Sequence, residues 1–135
     1  MIARLLVVGL LLGHGLIHAS YVAPRPPLTA GGPQWPFELS HSWLLGAFGV
    51  SGEAARIVGL ALVAVTIAGF ALASVAALGL APAGVWTAAV AVGAIASLAL
   101  LVLFFHPWLV LGVVIDVVLL WVVFAVRWVP ESLSS

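Results

Sequence analysis

The sequence predicts an all-α, polytopic membrane protein. The expected architecture is an antiparallel four-transmembrane-helix bundle with a Pro-rich first loop and a short interfacial or re-entrant helix. Composition is the first reason: of 135 residues, 65% are hydrophobic and 6% are charged. A soluble domain carries about a quarter charged residues. A water-soluble fold of this length could not hide so much apolar surface, so part of the solvent must be lipid. The second reason is length of run: the apolar residues gather in stretches that can span a hydrocarbon core of about 30 Å. The third is what separates the runs. They are broken by Pro-containing segments, where a helix cannot continue.

The expected spans are 2–22, 54–80, 85–105 and 108–129, in one transmembrane domain with a first loop at 23–53. The first run begins just ahead of Arg4 and contains His14 and His18. It is expected to stay as a helix. A cleaved leader would need a small-residue cleavage site, and the Ala19 to Pro24 stretch is a poor one. The loop holds Pro24, Pro26, Pro27, Pro33 and Pro36 with Gly31 and Gly32, which excludes a helix through lipid there. Trp35, Phe37 and Trp43 suit the headgroup level. Ser42 to Val50 is apolar but too short to cross, which makes it the interfacial or re-entrant segment. Ser51 is placed to cap the next helix, with Glu53 in its first turn at the positive end of the dipole. Ala81 to Gly84 and His106-Pro107 are tight turns, so the helices they join are expected to be antiparallel neighbours.

Small residues recur at four-residue spacing: Ala89, Gly93 and Ser97; Gly69, Ala73 and Ala77; Gly9 and Gly13. Such spacing lets helix backbones approach closely in lipid, within the chain or, through Gly9 and Gly13, between copies. Trp86, Trp108 and Trp128 fall at span ends and read as interface anchors, and Trp121 reads as packing. Glu53 and Arg56 are spaced for a rim ion pair.

The formal net charge is zero and there is no Cys. That removes the electrostatic case for nucleic acid and excludes disulfides, thiolate chemistry and Cys-held metals. The cations divide evenly: Arg4 and Arg127 on the side of the termini, Arg25 and Arg56 on the side of the first loop. A short N-terminus carrying Arg4 places both termini in the cytoplasm.

Depth is where the polar residues become informative. At 1.5 Å per residue, His18 lies roughly 6 Å in from the loop side and His14 roughly 12 Å. Asp116 lies at the depth of His14, and Ser97 at a similar depth. His106 and His41 sit on the same side. An acid inside the membrane costs about 2.5–3.5 kcal/mol on insertion scales, so Asp116 should face the bundle and have a partner. His14 matches it in depth and shares a helix face with His18 at i, i+4. Gly112, one turn from Asp116, leaves space beside the carboxylate.

Three readings of this cluster stay open. It can be a hydrogen-bonded pair that fixes helix register. It can be a metal site, with His14, His18, His106 and Asp116 as candidate ligands and His41 as a further donor, or a heme site that takes an axial His from another element. It can also be a proton or quinone site, because a His/Asp pair at mid-depth titrates and small-residue interfaces admit flat ligands.

The opening segment Arg4-Leu-Leu-Val-Val-Gly-Leu-Leu-Leu-Gly-His-Gly-Leu-Ile-His resembles the first helix of small four-helix bacterial membrane proteins of the DoxX-like kind. The layout is similar too: a long first loop, an acid starting the second helix, then hairpin-linked spans. The resemblance implies a bacterial inner membrane and an association with redox complexes, including quinone-linked ones. The expected function is therefore an accessory or assembly subunit of a larger, redox-linked membrane complex, not an enzyme on its own. Its partners would be the lipid bilayer and other membrane subunits. The alternatives are a stand-alone metal- or heme-binding redox protein and a small transporter or proton pathway.

Overall fold

The computed structural model describes residues 2–25, 27, 30–32 and 34–130. Pro26, Pro33 and the tail Glu131 to Ser135 lie outside the described residues. Among the described residues the chain is helical and has no strand. Helix α1 is Ile2–Ile17, prolonged by one 3-10 turn, His18–Tyr21. Helix α2 is Trp43–Ala47, α3 is Gly52–Ala77 and α4 is Ala83–Leu103. Helix α5 is Val110–Trp121, entered by a 3-10 turn at Pro107–Leu109 and followed by a π-helical turn at Val122–Val126. The stretches Ile2–Tyr21, Gly52–Ala77, Ala83–Leu103 and Pro107–Val126 are each long and apolar enough to cross a membrane. The chain is a multi-pass membrane helix bundle.

Local chemistry sets the helix ends. Ser51 Oγ accepts the Ala54 N–H at 3.2 Å and so caps α3. At the other end Gly79 takes φ +80°. The Gly79 N–H reaches the Ala76 carbonyl at 2.8 Å and the Leu80 N–H reaches that of Val75 at 3.2 Å. This paired closure, which needs a left-handed residue, stops α3 at Ala77, short of the expected Leu80. The last stretch stops at Val126 instead of Val129. Arg127 turns left-handed there (φ 55°), and the Trp128 N–H folds back to the Val122 carbonyl at 3.2 Å.

Helix α2 is too short to cross a bilayer and is fastened to the end of α4. Ser42 Oγ accepts the Leu45 N–H at 3.2 Å and donates to the Leu103 carbonyl at 2.6 Å. Trp43 Nε1 donates to the Val102 carbonyl at 2.7 Å. Carbonyls in a helix's last turn have no partner within the helix, and these side chains supply one.

Helix α4 is the centre of the bundle. It packs most extensively on α3, while α1 lies on α3 and α5 on α4. The α3–α4 approach is closest at Gly69: a Cβ there would stand 2.7 Å from Gly93 Cα. Backbone meets backbone at that point, as the small-residue spacing in these two helices predicts. Gly9 and Gly13 differ, because no atom lies within 4 Å of a Cβ built at either. They take no part in packing within the chain.

Two aromatic assignments change places. Trp86 is 1% exposed and packs in the core, where its Nε1 donates to the Trp128 carbonyl at 3.2 Å; Trp121 is 60% exposed. The ion pair at the loop end is also different from the expected one. Arg25 pairs with Glu38, and among the described residues Glu53 and Arg56 form no ion pair. Glu38 is held for this by Ser40, whose N–H and Oγ donate to its Oε1 at 2.9 and 2.7 Å.

The buried apolar residues form two clusters. One gathers Leu11, Phe70, Trp86, Val90, Leu119 and Val123. The other gathers Tyr21, Leu39, Val63, Leu100, Phe104 and Leu109 nearer the Pro-rich loop. Between them lies a buried polar group.

Candidate functional site

The polar group is built from α1, α4 and α5. Asp116 is 0% exposed, and Ser97, His18 and His14 are buried around it. Asp116 Oδ1 lies 2.8 Å from His14 Nε2. Ser97 Oγ donates to Asp116 Oδ2 at 2.5 Å, a length in the range of a hydroxyl held by a carboxylate. The same Ser97 oxygen is 2.9 Å from His18 Nε2. His18 Nδ1 is 2.9 Å from the His14 carbonyl, closing the chain of contacts on itself. Depth counting thus pairs the residues that do meet: His14 with Asp116, and Ser97 beside them.

Hydrogen counting restricts the protonation states. A carbonyl only accepts, so His18 Nδ1 carries a hydrogen. Ser97 has a single hydrogen to share between its two contacts. When it serves Asp116, His18 Nε2 must also carry a hydrogen and donate to Ser97, which makes His18 an imidazolium beside a carboxylate. When it serves His18, Asp116 Oδ2 must carry the hydrogen and donate to Ser97, and both residues are neutral. These two arrangements contain the same hydrogens and leave the cluster without net charge. They differ by one proton relocated from Asp116 to His18 through the Ser97 hydroxyl. In both, His14 holds its hydrogen on Nε2 and donates to Asp116.

His14 is oriented from two further directions. Its ring meets Phe70 edge-on at 5.2 Å and His18 at 5.2 Å. Phe70 escaped sequence reasoning, since one aromatic in an apolar helix carries no marker. Thr66, one turn from Phe70, was missed for the same reason. It is 0% exposed, and its Oγ1 has no hydrogen-bond partner among the described residues. An unpaired buried hydroxyl costs stability, so Thr66→Val is expected to be neutral or stabilising by about 1 kcal/mol. Thermal unfolding in detergent checks this; a clear loss of stability would mean the hydroxyl has a partner.

A cavity of about 280 Å³ opens beside the cluster, between α1 and α5. Its wall includes His14, His18, Phe37, Trp108, Gly112 and Ile115. Gly112 is what makes the room: a Cβ there would come within 3.7 Å of His14 Cε1 and 2.8 Å of Leu101 Cδ1.

The other two candidate ligands stand apart. His106 caps the 3-10 turn that enters α5, its Nδ1 accepting the Trp108 N–H at 3.3 Å. With His41, it lines a separate cavity of about 640 Å³ beneath the Pro-rich loop, together with Arg25 and Glu38. Among the described residues, no three His, Asp or Glu side chains converge in a way that could hold a metal ion. Of the expected donors, only His14, His18 and Asp116 come together, and they are bonded to one another or through Ser97. An axial His pair for heme finds no second element at this cluster either, because both imidazoles come from the α1 segment. Comparison of the chain with family models, with curated proteins and with solved structures gives no match at all.

Proposed function

We propose that this chain is a membrane subunit built around a one-sided proton-exchange centre, His14–Asp116–Ser97–His18, serving a larger, redox-linked membrane complex. The observation that carries the reading is the continuous buried chain of hydrogen bonds with two proton arrangements of zero net charge, one neutral and one ionic. Structural packing alone needs an Asp and a partner. It does not need a hydroxyl placed between two titratable groups at 2.5 and 2.9 Å.

The centre is one-sided because the apolar cluster of Leu11, Phe70, Trp86 and Leu119 fills the bundle on its other flank. That favours exchange with something in the neighbouring cavity over transport across the membrane. In the accessory role, the outer faces of α1 and α5, with Leu6, Leu16 and Val114 exposed, would meet either acyl chains or the helices of a neighbouring subunit. In the same proposal the helices alternate in direction across a bacterial inner membrane with both termini in the cytoplasm. A place among DoxX-like proteins belongs to it as well.

Infrared difference spectroscopy of the lipid-reconstituted protein tests the centre. The proton-exchange reading requires a protonated-carboxyl band that changes together with a histidine signal as pH is varied, and that vanishes in Asp116→Asn. A carboxyl that never changes protonation between mildly acid and alkaline pH would leave only a structural bond. Co-purification from native membranes tests the accessory role: recovery as a free monomer or self-oligomer would remove it.

A further inference from the structure

The geometry points to the cavity between α1 and α5 as a binding site for a small apolar molecule that carries one hydroxyl, of the substituted-phenol class, taken up from the lipid phase. The ring of His14 is more than nine-tenths buried and forms part of the cavity wall. Its Nε2 is engaged by Asp116, and its Nδ1 has no hydrogen-bond partner among the described residues. In both the neutral and the ionic arrangement that Nδ1 is a bare lone pair. What His14 offers a ligand is thus an acceptor, and a ligand that engages it must bring a donor. The assignment rests on the proton-exchange reading for which His14 nitrogen carries the hydrogen.

Of the other wall residues, His18 has both ring nitrogens engaged and Trp108 brings one indole N–H; Ile17, Phe37, Leu101, Leu111 and Ile115 are apolar. A dry cavity of about 150 Å³ holds a benzene ring. The 280 Å³ here suits a substituted ring or a ring with a short tail, below the usual range for larger ligands. Ile17, Trp108 and Leu111 are exposed on the outer surface of the bundle, so the mouth faces acyl chains. A hydroxyl donating to His14 Nδ1 would stand one imidazole away from the Asp116 carboxyl. It is thereby placed where a weakly acidic O–H can exchange its proton with the buried chain.

The test uses the full chain in nanodiscs, with para-butylphenol and its methyl ether as probes. The ether has the same body and no donor. Calorimetry is expected to show the phenol binding about tenfold more tightly than the ether, the size of one hydrogen bond. The imidazole nitrogen NMR signal of His14 Nδ1 should move with the phenol and stay put with the ether. Gly112→Leu, which fills the cavity, should abolish saturable binding of both. Leu111→Trp, at an exposed rim position outside the packed interior, should weaken the saturable component of both, and what survives in Gly112→Leu is simple partition into lipid. Equal affinity for the two probes, no saturable phenol binding, or an unmoved Nδ1 signal would each overturn the assignment. A protein blind to phenol whose Asp116 band still responds to pH would lose only this site and keep its proton-exchange centre. If phenol binds as expected while that band is fixed, the centre fails and the cavity stands.

Discussion

Asp116→Asn is expected to leave the bundle folded and to stop the proton from moving. An amide can reproduce every contact of the neutral arrangement. Its Nδ2 donates to Ser97 Oγ, the Ser97 hydrogen turns to His18 Nε2, and its Oδ1 accepts from His14 Nε2. Nothing is left unpaired, so stability should change by less than about 1 kcal/mol. The ionic arrangement becomes unreachable, because an amide cannot give up a hydrogen at ordinary pH. Asp116→Ala should behave differently. It strands His14 Nε2 and Ser97 Oγ in a region that is 0% exposed at the centre. Leaving buried partners uncompensated costs about 3 kcal/mol or more in water-soluble proteins, and somewhat less where a bilayer also surrounds the unfolded reference. Thermal unfolding in detergent separates the two variants. Equal, large losses for both would mean that charge, not hydrogen-bond geometry, holds the site together.

The second large effect is expected at Gly69. A Cβ there meets the backbone of Gly93, at 2.7 Å from Cα and 2.8 Å from N. Backbone cannot swing away, so α3 and α4 must separate. Overpacking of this kind costs about 1–3 kcal/mol, and Gly69→Val should lie at the upper end. The disturbance should also reach the polar chain, since the next residue, Phe70, lies against both His14 and Gly93. Gly9→Ala is the control. Open space surrounds that position, and replacing Gly inside a helix gains up to about 1 kcal/mol. Stability that falls for Gly69→Val and holds or rises for Gly9→Ala fits the close crossing. A fall at Gly9 would reveal a contact with a second copy.

The four spans were legible because apolar length is nearly all that membrane insertion reads. The His14–Asp116 pairing was legible because one rise per residue converts position into depth. Depth says nothing about direction around a helix axis, and the misplacements follow from that. His106 and His41 share a side with the cluster yet point into another cavity. Trp86 sits near a helix start, as an interface anchor would, but faces inward onto Trp128. Trp121 sits deep and faces out. Arg25 and Glu38 were hidden for another reason: their partnership runs across an irregular loop, where no periodicity links one residue to the other. Glu53 and Arg56 had the periodicity, but Arg56 lines a cavity with Arg25 and Glu38, and Glu38 pairs with Arg25. The shared hydrogen of Ser97 could not be read at all, because it depends on ångström distances among three helices.

The bond between His14 and Asp116 spans 102 positions of the chain. A polytopic protein enters its membrane helix by helix, so α1 is in lipid with a buried imidazole long before α5 is made. Through that interval His14 lacks its carboxylate, and Asp116 in turn arrives in the most apolar of the four segments. The last helix therefore does for the first what a keystone does for an arch. Chains halted ahead of α5 should present an incomplete polar face inside the bilayer, the kind of defect that membrane quality control can recognise and remove.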